Sequence, residues 1–316
     1  MENEFEKIYN IRSKALFQLY KGTIDKEEYT QIINSIPNID TKLDYIDNLI
    51  SNRIFLSDYY RKVINLYKNY ITKEYIEYYE KEDIEKLFYD FLKYLNCKNL
   101  YDRVKEKDMI VFPKELATGG FTLYYGNLSY ILVKDRPDKI ALYDSLAHEI
   151  GHTLSNNTLY NIKGYDRQIT IKSEIISILL EKLFLYYLLT NSKIDKETIK
   201  KYIIKLEKKY FDITKNAKKS LDLLDNPNII YSFNGSKLIY THNGEENTIS
   251  MYDNIYAIGN IITAKILNEN DYDYYKKNLK NLILEIDNLS MEQLINEYFD
   301  LEAIKKHLNK QLIRKK

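Results

Sequence analysis

The run Ala147-His148-Glu149-Ile150-Gly151-His152-Thr153 constrains this chain more than any other stretch. On a helix, two imidazoles four residues apart stand one turn from each other on one face, where they can share a tetrahedral Zn²⁺. Glu149 then sits beside the metal rather than on it, placed to take a proton from water and pass it to a leaving amine. A surface helix could carry the pattern by accident. With four histidines in 316 residues, however, such an accident is uncommon, and the metal reading is the one to follow along the chain.

Composition narrows the partners. The 47 basic and 46 acidic residues leave a formal net charge of +1, so no global field favours nucleic acid or an anionic membrane, and neither is expected as a partner. Cys97 is the single cysteine, which excludes an internal disulfide and a cysteine metal site and fits a reducing compartment. The opening Met-Glu-Asn-Glu-Phe-Glu-Lys lacks the basic-then-apolar order of a signal peptide, so the expected location is cytoplasmic. Tyrosine is so common, at 32 residues, that one lying near a motif says little by itself.

From Phe5 to about Asn96 apolar residues recur at helical spacing, as in Ile84, Leu87, Phe88, Phe91, Leu92 and Leu95. Breaks fall at Lys21-Gly22-Thr23 and Ile36-Pro37-Asn38. Residues 1–108 are therefore expected to form a helical N-terminal lobe, with packing as its main role. Three short runs rich in β-branched and aromatic residues follow, Met109–Phe112, Phe121–Tyr125 and Ser129–Val133, separated by glycine pairs or Gly-Asn. They predict a small sheet, which either covers the core or offers an edge to an extended peptide. Asp138 stands where it can cap the helix that carries His148.

Beyond His152 a polar loop with Asn156, Asn157, Asn161 and Gly164 is expected, then a helix buried all round from Ile175 to Leu189. Fifteen residues interrupted by charges are too few to span a bilayer. Glu174 and Glu181 lie seven apart on one face of that helix, and a buried carboxylate needs a partner, which a metal already held by two imidazoles supplies. The lysine-rich segment from Ile194 to Leu224 reads as a helix with a solvated face. A hairpin is expected around Asn234-Gly235, then a loop at Thr241-His242-Asn243-Gly244, then a helix starting near Thr248 that carries Tyr252, Tyr256 and Gly259. His307, on a charged helix near the end of the sequence, is expected to be solvated.

Taken together, Ser145-Leu-Ala-His148-Glu149-Ile-Gly-His152, the later Glu174-Ile-Ile-Ser177-Ile-Leu-Leu-Glu181, and Tyr252-Asp-Asn-Ile-Tyr256-Ala-Ile-Gly259 resemble the thimet oligopeptidase and oligoendopeptidase F family of zinc metallopeptidases. Gly119-Gly120-Phe121 and Tyr130-Ile-Leu-Val are similar to elements upstream of that family's metal helix. The resemblance covers roughly residues 110–265. It implies that His148, His152 and Glu174 are the zinc ligands, that Glu149 is the base, and that Glu181 orients a ligand from behind. It also implies that His242, Tyr252 and Tyr256 face the oxyanion. The chain is shorter than is usual for that family, Ser155 stands where a histidine is common, and the gap from His242 to Tyr256 is long.

The expectation is thus a mainly α, zincin-type metallopeptidase with a small β-sheet beside the active-site helix, residues 109–316 forming the catalytic domain. It would hold one Zn²⁺ per chain and hydrolyse peptide bonds in short peptides. A zinc hydrolase acting on a non-peptide amide would keep the same four residues. A catalytically silent peptide-binding module would be expected to have lost Glu149 or a ligand. A purely structural zinc would fill all four positions with protein ligands.

Overall fold

In a computed structural model, residues 4–37, 44–71, 83–163, 169–242 and 244–312 are described. The fold is mainly helical. Helices α1 (Glu4–Lys21), α2 (Lys26–Ser35), α3 (Asp44–Ser51), α4 (Arg53–Tyr70), α5 (Ile84–Tyr94) and α6 (Lys98–Glu106) come first. Strands β1 (Ile110–Val111), β2 (Gly120–Tyr125) and β3 (Leu128–Val133) follow, then α7 (Lys139–Lys163), α8 (Ile169–Asn191) and α9 (Lys196–Leu224). A second set of strands, β4 (Ile230–Asn234), β5 (Lys237–His242) and β6 (Glu245–Ser250), leads to α10 (Tyr252–Glu269), α11 (Tyr272–Asn288), α12 (Met291–Tyr298) and α13 (Leu301–Leu312). No helix among the described residues is long and apolar enough to cross a membrane.

The predicted first sheet forms in the order β1-β3-β2, with β1 parallel and β2 antiparallel to β3, so β2 is an edge strand. Its two-residue turn, Gly126-Asn127, begins with Gly126 at φ +54°, a left-handed conformation that glycine adopts without a Cβ penalty. Every residue of β3 is buried. Alternation along β2 divides its side chains: Thr122 and Tyr124 reach α7 and α8, while Phe121 meets Tyr20 of α1 edge-on. Phe17 of α1 stacks on Tyr130 of β3. The first helix therefore rests on the sheet. Buried apolar side chains form one connected cluster from Phe17 to Leu308, crossing the boundary expected at residue 108.

Helix α8 lies at the centre, packed between α7 and α10. From Ile175 to Leu188 only Tyr186 is exposed, so nearly the whole circumference of this helix is removed from water. Asp138 accepts a hydrogen bond from the Ala141 amide at the start of α7, as its position predicted. The hairpin at Asn234-Gly235 also forms, extended by β6 into a three-stranded meander.

Three expectations need correction. The polar loop after His152 is helix: α7 runs on to Lys163, because Asn156 donates to the carbonyls of Gly126 and Leu128, and Asn157 to that of Asn127. Polar residues there mark tertiary partners in the β2–β3 turn rather than a break; Gly164 lies outside the described residues. The helix expected from Thr248 starts at Tyr252, since Thr248 pairs with Ile239 in the meander. His307 is buried, with its Nε2 2.9 Å from Lys182 Nζ and 3.2 Å from Glu207 Oε1. Helix α9 has the solvated face expected of it, with Tyr202, Glu207 and Tyr210 buried on the other.

Candidate metal centre

Two close helix crossings assemble the site. A Cβ on Gly151 would lie 2.4 Å from Ser177 Cα and 3.0 Å from Ser177 N, so only glycine lets α8 approach α7 so closely. Glu174, just under a turn before Ser177, is thereby brought against the histidine face of α7. At Gly259 an added Cβ would meet Ile178 Cδ1 at 2.9 Å and the backbone and Cβ of Glu174 at 3.6 Å. That contact draws α10, with Tyr252 and Tyr256, over the same carboxylate.

His148, His152 and Glu174 converge, each offering a ligand atom within 4.8 Å of the others, and all three are buried. Glu174 Oε2 is 3.2 Å from His148 Nε2, and Oε1 is 3.5 Å from His152 Nε2. The second nitrogen of each ring is engaged from behind. His148 Nδ1 is 3.1 Å from Glu181 Oε2, which also accepts from the Tyr210 hydroxyl at 2.9 Å. His152 Nδ1 is 2.5 Å from Ser173 Oγ, which in turn lies 3.1 Å from the Tyr124 hydroxyl. Both Nε2 atoms thus face Glu174, the arrangement in which outer partners fix ring orientation and leave one lone pair per ring for a cation. Two imidazoles and one carboxylate, with further space in front of them, suit Zn²⁺ in an open site.

Electrostatics follow from the carboxylates. Burial alone would lower the pKa of His148, but hydrogen bonds and charge from Glu174 and Glu181 outweigh it and hold the pKa at about 10. His152, with less help, is pushed down to about 4 by burial. Burial would raise Glu174, yet His152 and His148 keep its carboxyl below the usual range. A metal cation bound here would take the place of the proton that Glu174 and Glu181 favour on His148. Glu149 points elsewhere: its Oε2 accepts from Thr122 Oγ1 at 2.8 Å, and burial raises its pKa to about 7.

The space beside these groups is a cavity of about 180 Å³, lined by β2, Glu149, His152, Glu174, Tyr252 and Tyr256, with Tyr9 of α1 closing one side. Tyr252 donates to Glu174 Oε1 at 3.4 Å, whereas the Tyr256 hydroxyl has no hydrogen-bond partner among the described residues and its ring lies 6.1 Å from that of His148. Burial, and then the Glu174 charge, raise both hydroxyls, so both remain protonated donors. His242 is not brought in. It is exposed at the β5–β6 turn, opposite Glu245, and does not line the cavity.

Thr122, Ser173, Tyr210 and Tyr9 are contributors that sequence reading passed over. Thr122 had a signal, since Gly120, Thr122 and Tyr124 share one face of a predicted strand. Ser173 and Tyr210 had none, because their roles depend on how α7, α8 and α9 cross.

The two glutamates of α8 should be separable by substitution. Glu181→Ala is expected to weaken metal affinity by about 10- to 100-fold, the scale for a residue that orients a ligand. Glu174→Ala should weaken it further, which competition with a chromogenic chelator will measure. The reverse order would reassign the third ligand.

Compared with protein-family models, with curated proteins and with solved structures, the chain matches none.

Proposed function

We propose that the protein is a zinc metallopeptidase that hydrolyses peptide bonds in short peptides. The observation that carries this reading is the convergence of His148, His152 and Glu174 beside a carboxylate, Glu149, that takes no part in their cluster and faces the same cavity. When bound, zinc would supply Lewis acidity, polarising the scissile carbonyl and acidifying water.

The chain's own residues account for the other requirements. Glu149, held by Thr122, is placed to accept a proton from water and return it to the departing amine. Tyr256 offers an uncommitted hydroxyl to the oxyanion, and Tyr252 a second one shared with Glu174. As the edge strand of its sheet among the described residues, β2, with Gly120, Phe121, Thr122 and Tyr124 lining the cavity, suits an extended peptide, whose backbone groups need partners. This edge favours a peptide over another amide, because a small non-peptide amide has no use for a strand.

Elemental analysis of the purified chain, with mass spectrometry of a mixed peptide pool, tests the proposal. About one equivalent of zinc and chelator-sensitive internal or terminal cleavage are expected. A zinc-loaded chain that cleaves no peptide would overturn it.

The tyrosines give a sharper test. Tyr256→Phe is expected to lower kcat by roughly 10²-fold with KM and zinc content nearly unchanged, the scale of one lost oxyanion donor. Tyr252→Phe should cost less, since that hydroxyl is partly occupied by Glu174. Unchanged kcat in the double variant would place the oxyanion partner elsewhere.

A further inference from the structure

A second cavity, of about 870 Å³, lies among α8, α9, α11 and α13 on ground that the proposed peptidase chemistry does not use. Its volume falls in the range of about 300–1,000 Å³ typical of sites for small organic molecules. Its walls are apolar, with Leu183 and Leu189 from α8, Ile203 from α9 and Leu267 from α10, supplemented by the rings of Tyr186 and Tyr272.

Four lysines and a single carboxylate make up the charged lining of this cavity, alongside His307. Lys196, Lys200 and Lys310 line it, and while Lys200 pairs with Glu197, Lys196 and Lys310 form no ion pair among the described residues. The one carboxylate in the lining, Asp271, is occupied as the cap of α11, accepting from the Tyr274 amide at 2.9 Å.

Deeper in, Lys182 is 1% exposed and His307 3% exposed. The Lys182 ammonium has no acceptor lone pair, so it donates both to Glu207 Oε1 at 2.7 Å and to His307 Nε2 at 2.9 Å. Because an ammonium cannot accept, the Lys182 contact assigns Nε2 as the acceptor and the ring proton of His307 to Nδ1, with Glu207 Oε1, 3.2 Å from Nε2, held by the same ammonium. Nδ1 has no hydrogen bond among the described residues, although its ring is more than nine-tenths buried and lines the cavity. Burial, then the Lys182 charge, hold His307 in this neutral form, lowering its pKa. Lys182 and Glu207 neutralise each other, so the surplus positive charge belongs to the cavity mouth.

From this arrangement we propose that the cavity is a binding site for a small amphipathic anion. Its carboxylate or phosphate head would meet the His307 Nδ1–H and the rim lysines, and its apolar body would lie against Leu183, Leu189, Ile203 and Leu267. A neutral molecule of the same shape would leave the lysine charges unanswered. A purely polar anion would leave the apolar walls wet.

Calorimetric titration of the full chain with laurate, dodecyl phosphate and dodecanol, below their aggregation limits, tests this directly. At least one of the anions should bind saturably at one site, the tighter anion identifying the head group, with dodecanol at least tenfold weaker. The exposed rim pair Lys196→Glu with Lys310→Glu should weaken anion binding by roughly tenfold, the sum of two modest charge contributions, without changing the melting temperature. Leu267→Trp, which adds bulk to the apolar lining, should weaken whichever anion binds by a similar factor or more. Absence of saturable binding by either anion, equal affinity for dodecanol, or undiminished binding in both variants would overturn the assignment. Because binding is read by heat, its failure is distinct from failure of the peptidase reading.

Discussion

Glu149→Gln is expected to lower peptide hydrolysis by about 10³-fold or more while leaving zinc content and thermal stability close to those of the parent chain. Glutamine has the shape of glutamate, and its amide oxygen can keep the Thr122 hydrogen bond seen at 2.8 Å. What it loses is the ability to take up a proton. Because Glu149 stands outside the His148, His152 and Glu174 cluster, those three residues are expected to retain their contacts in this variant. Metal content by elemental analysis and turnover of one identified peptide provide the two readouts. Turnover within tenfold of the parent would end the assignment of Glu149 as the base.

The second large effect is expected from the smallest possible addition. Gly151→Ala places a methyl carbon 2.4 Å from Ser177 Cα and 3.1 Å from the carbonyl oxygen of Ile176, both backbone atoms of the enclosed helix α8. Carbon atoms are comfortable at about 3.5–4.0 Å, so the helices must part by roughly 1 Å or more. Overpacking of this kind costs about 1–3 kcal/mol and sometimes more, and here it should reach about 3 kcal/mol because backbone, not a movable side chain, is in the way. The same displacement carries Glu174 away from the histidines, so metal affinity should fall together with stability. Gly259→Ala is the control, since its nearest obstacle is the flexible Ile178 Cδ1 at 2.9 Å, and its cost should be smaller. Denaturant unfolding of the metal-free variants measures both. A Gly151→Ala chain as stable as the parent would show that the crossing is not tight.

How much of this was legible in the sequence depended on whether the partners were near one another along the chain. His148, Glu149 and His152 are related by one helical turn, so spacing alone brings them together. Glu174 and Glu181 were legible because carboxylates on a helix buried all round demand an explanation. The strands showed themselves by alternation, which is also local. By contrast, Asn156 and Asn157 looked like loop residues because their partners, Gly126, Leu128 and Asn127, lie in a turn far back in the chain. His307 was misread although a pattern existed: Ala303, Ile304, His307 and Leu308 form a buried stripe, while Lys305, Lys306 and Lys310 face water. The count of charges on that helix obscured their arrangement. His242 failed for another reason, because the length of the β5–β6 hairpin, rather than its composition, decides where its tip lies.

The hydrogen bonds that join α7 to the β2–β3 hairpin act at two places, within the strand at Thr122 with Glu149 and at the turn with Asn156 and Asn157. They fix β2 lengthwise against α7. If the proposed peptidase reading holds, a peptide paired with this edge would be offered to Glu149 in discrete steps of two residues, since a slip of one would turn every side chain to the opposite face. Selectivity built this way would have a parity: alternate positions of such a substrate would be read by the cavity wall, and those between them would be free to vary.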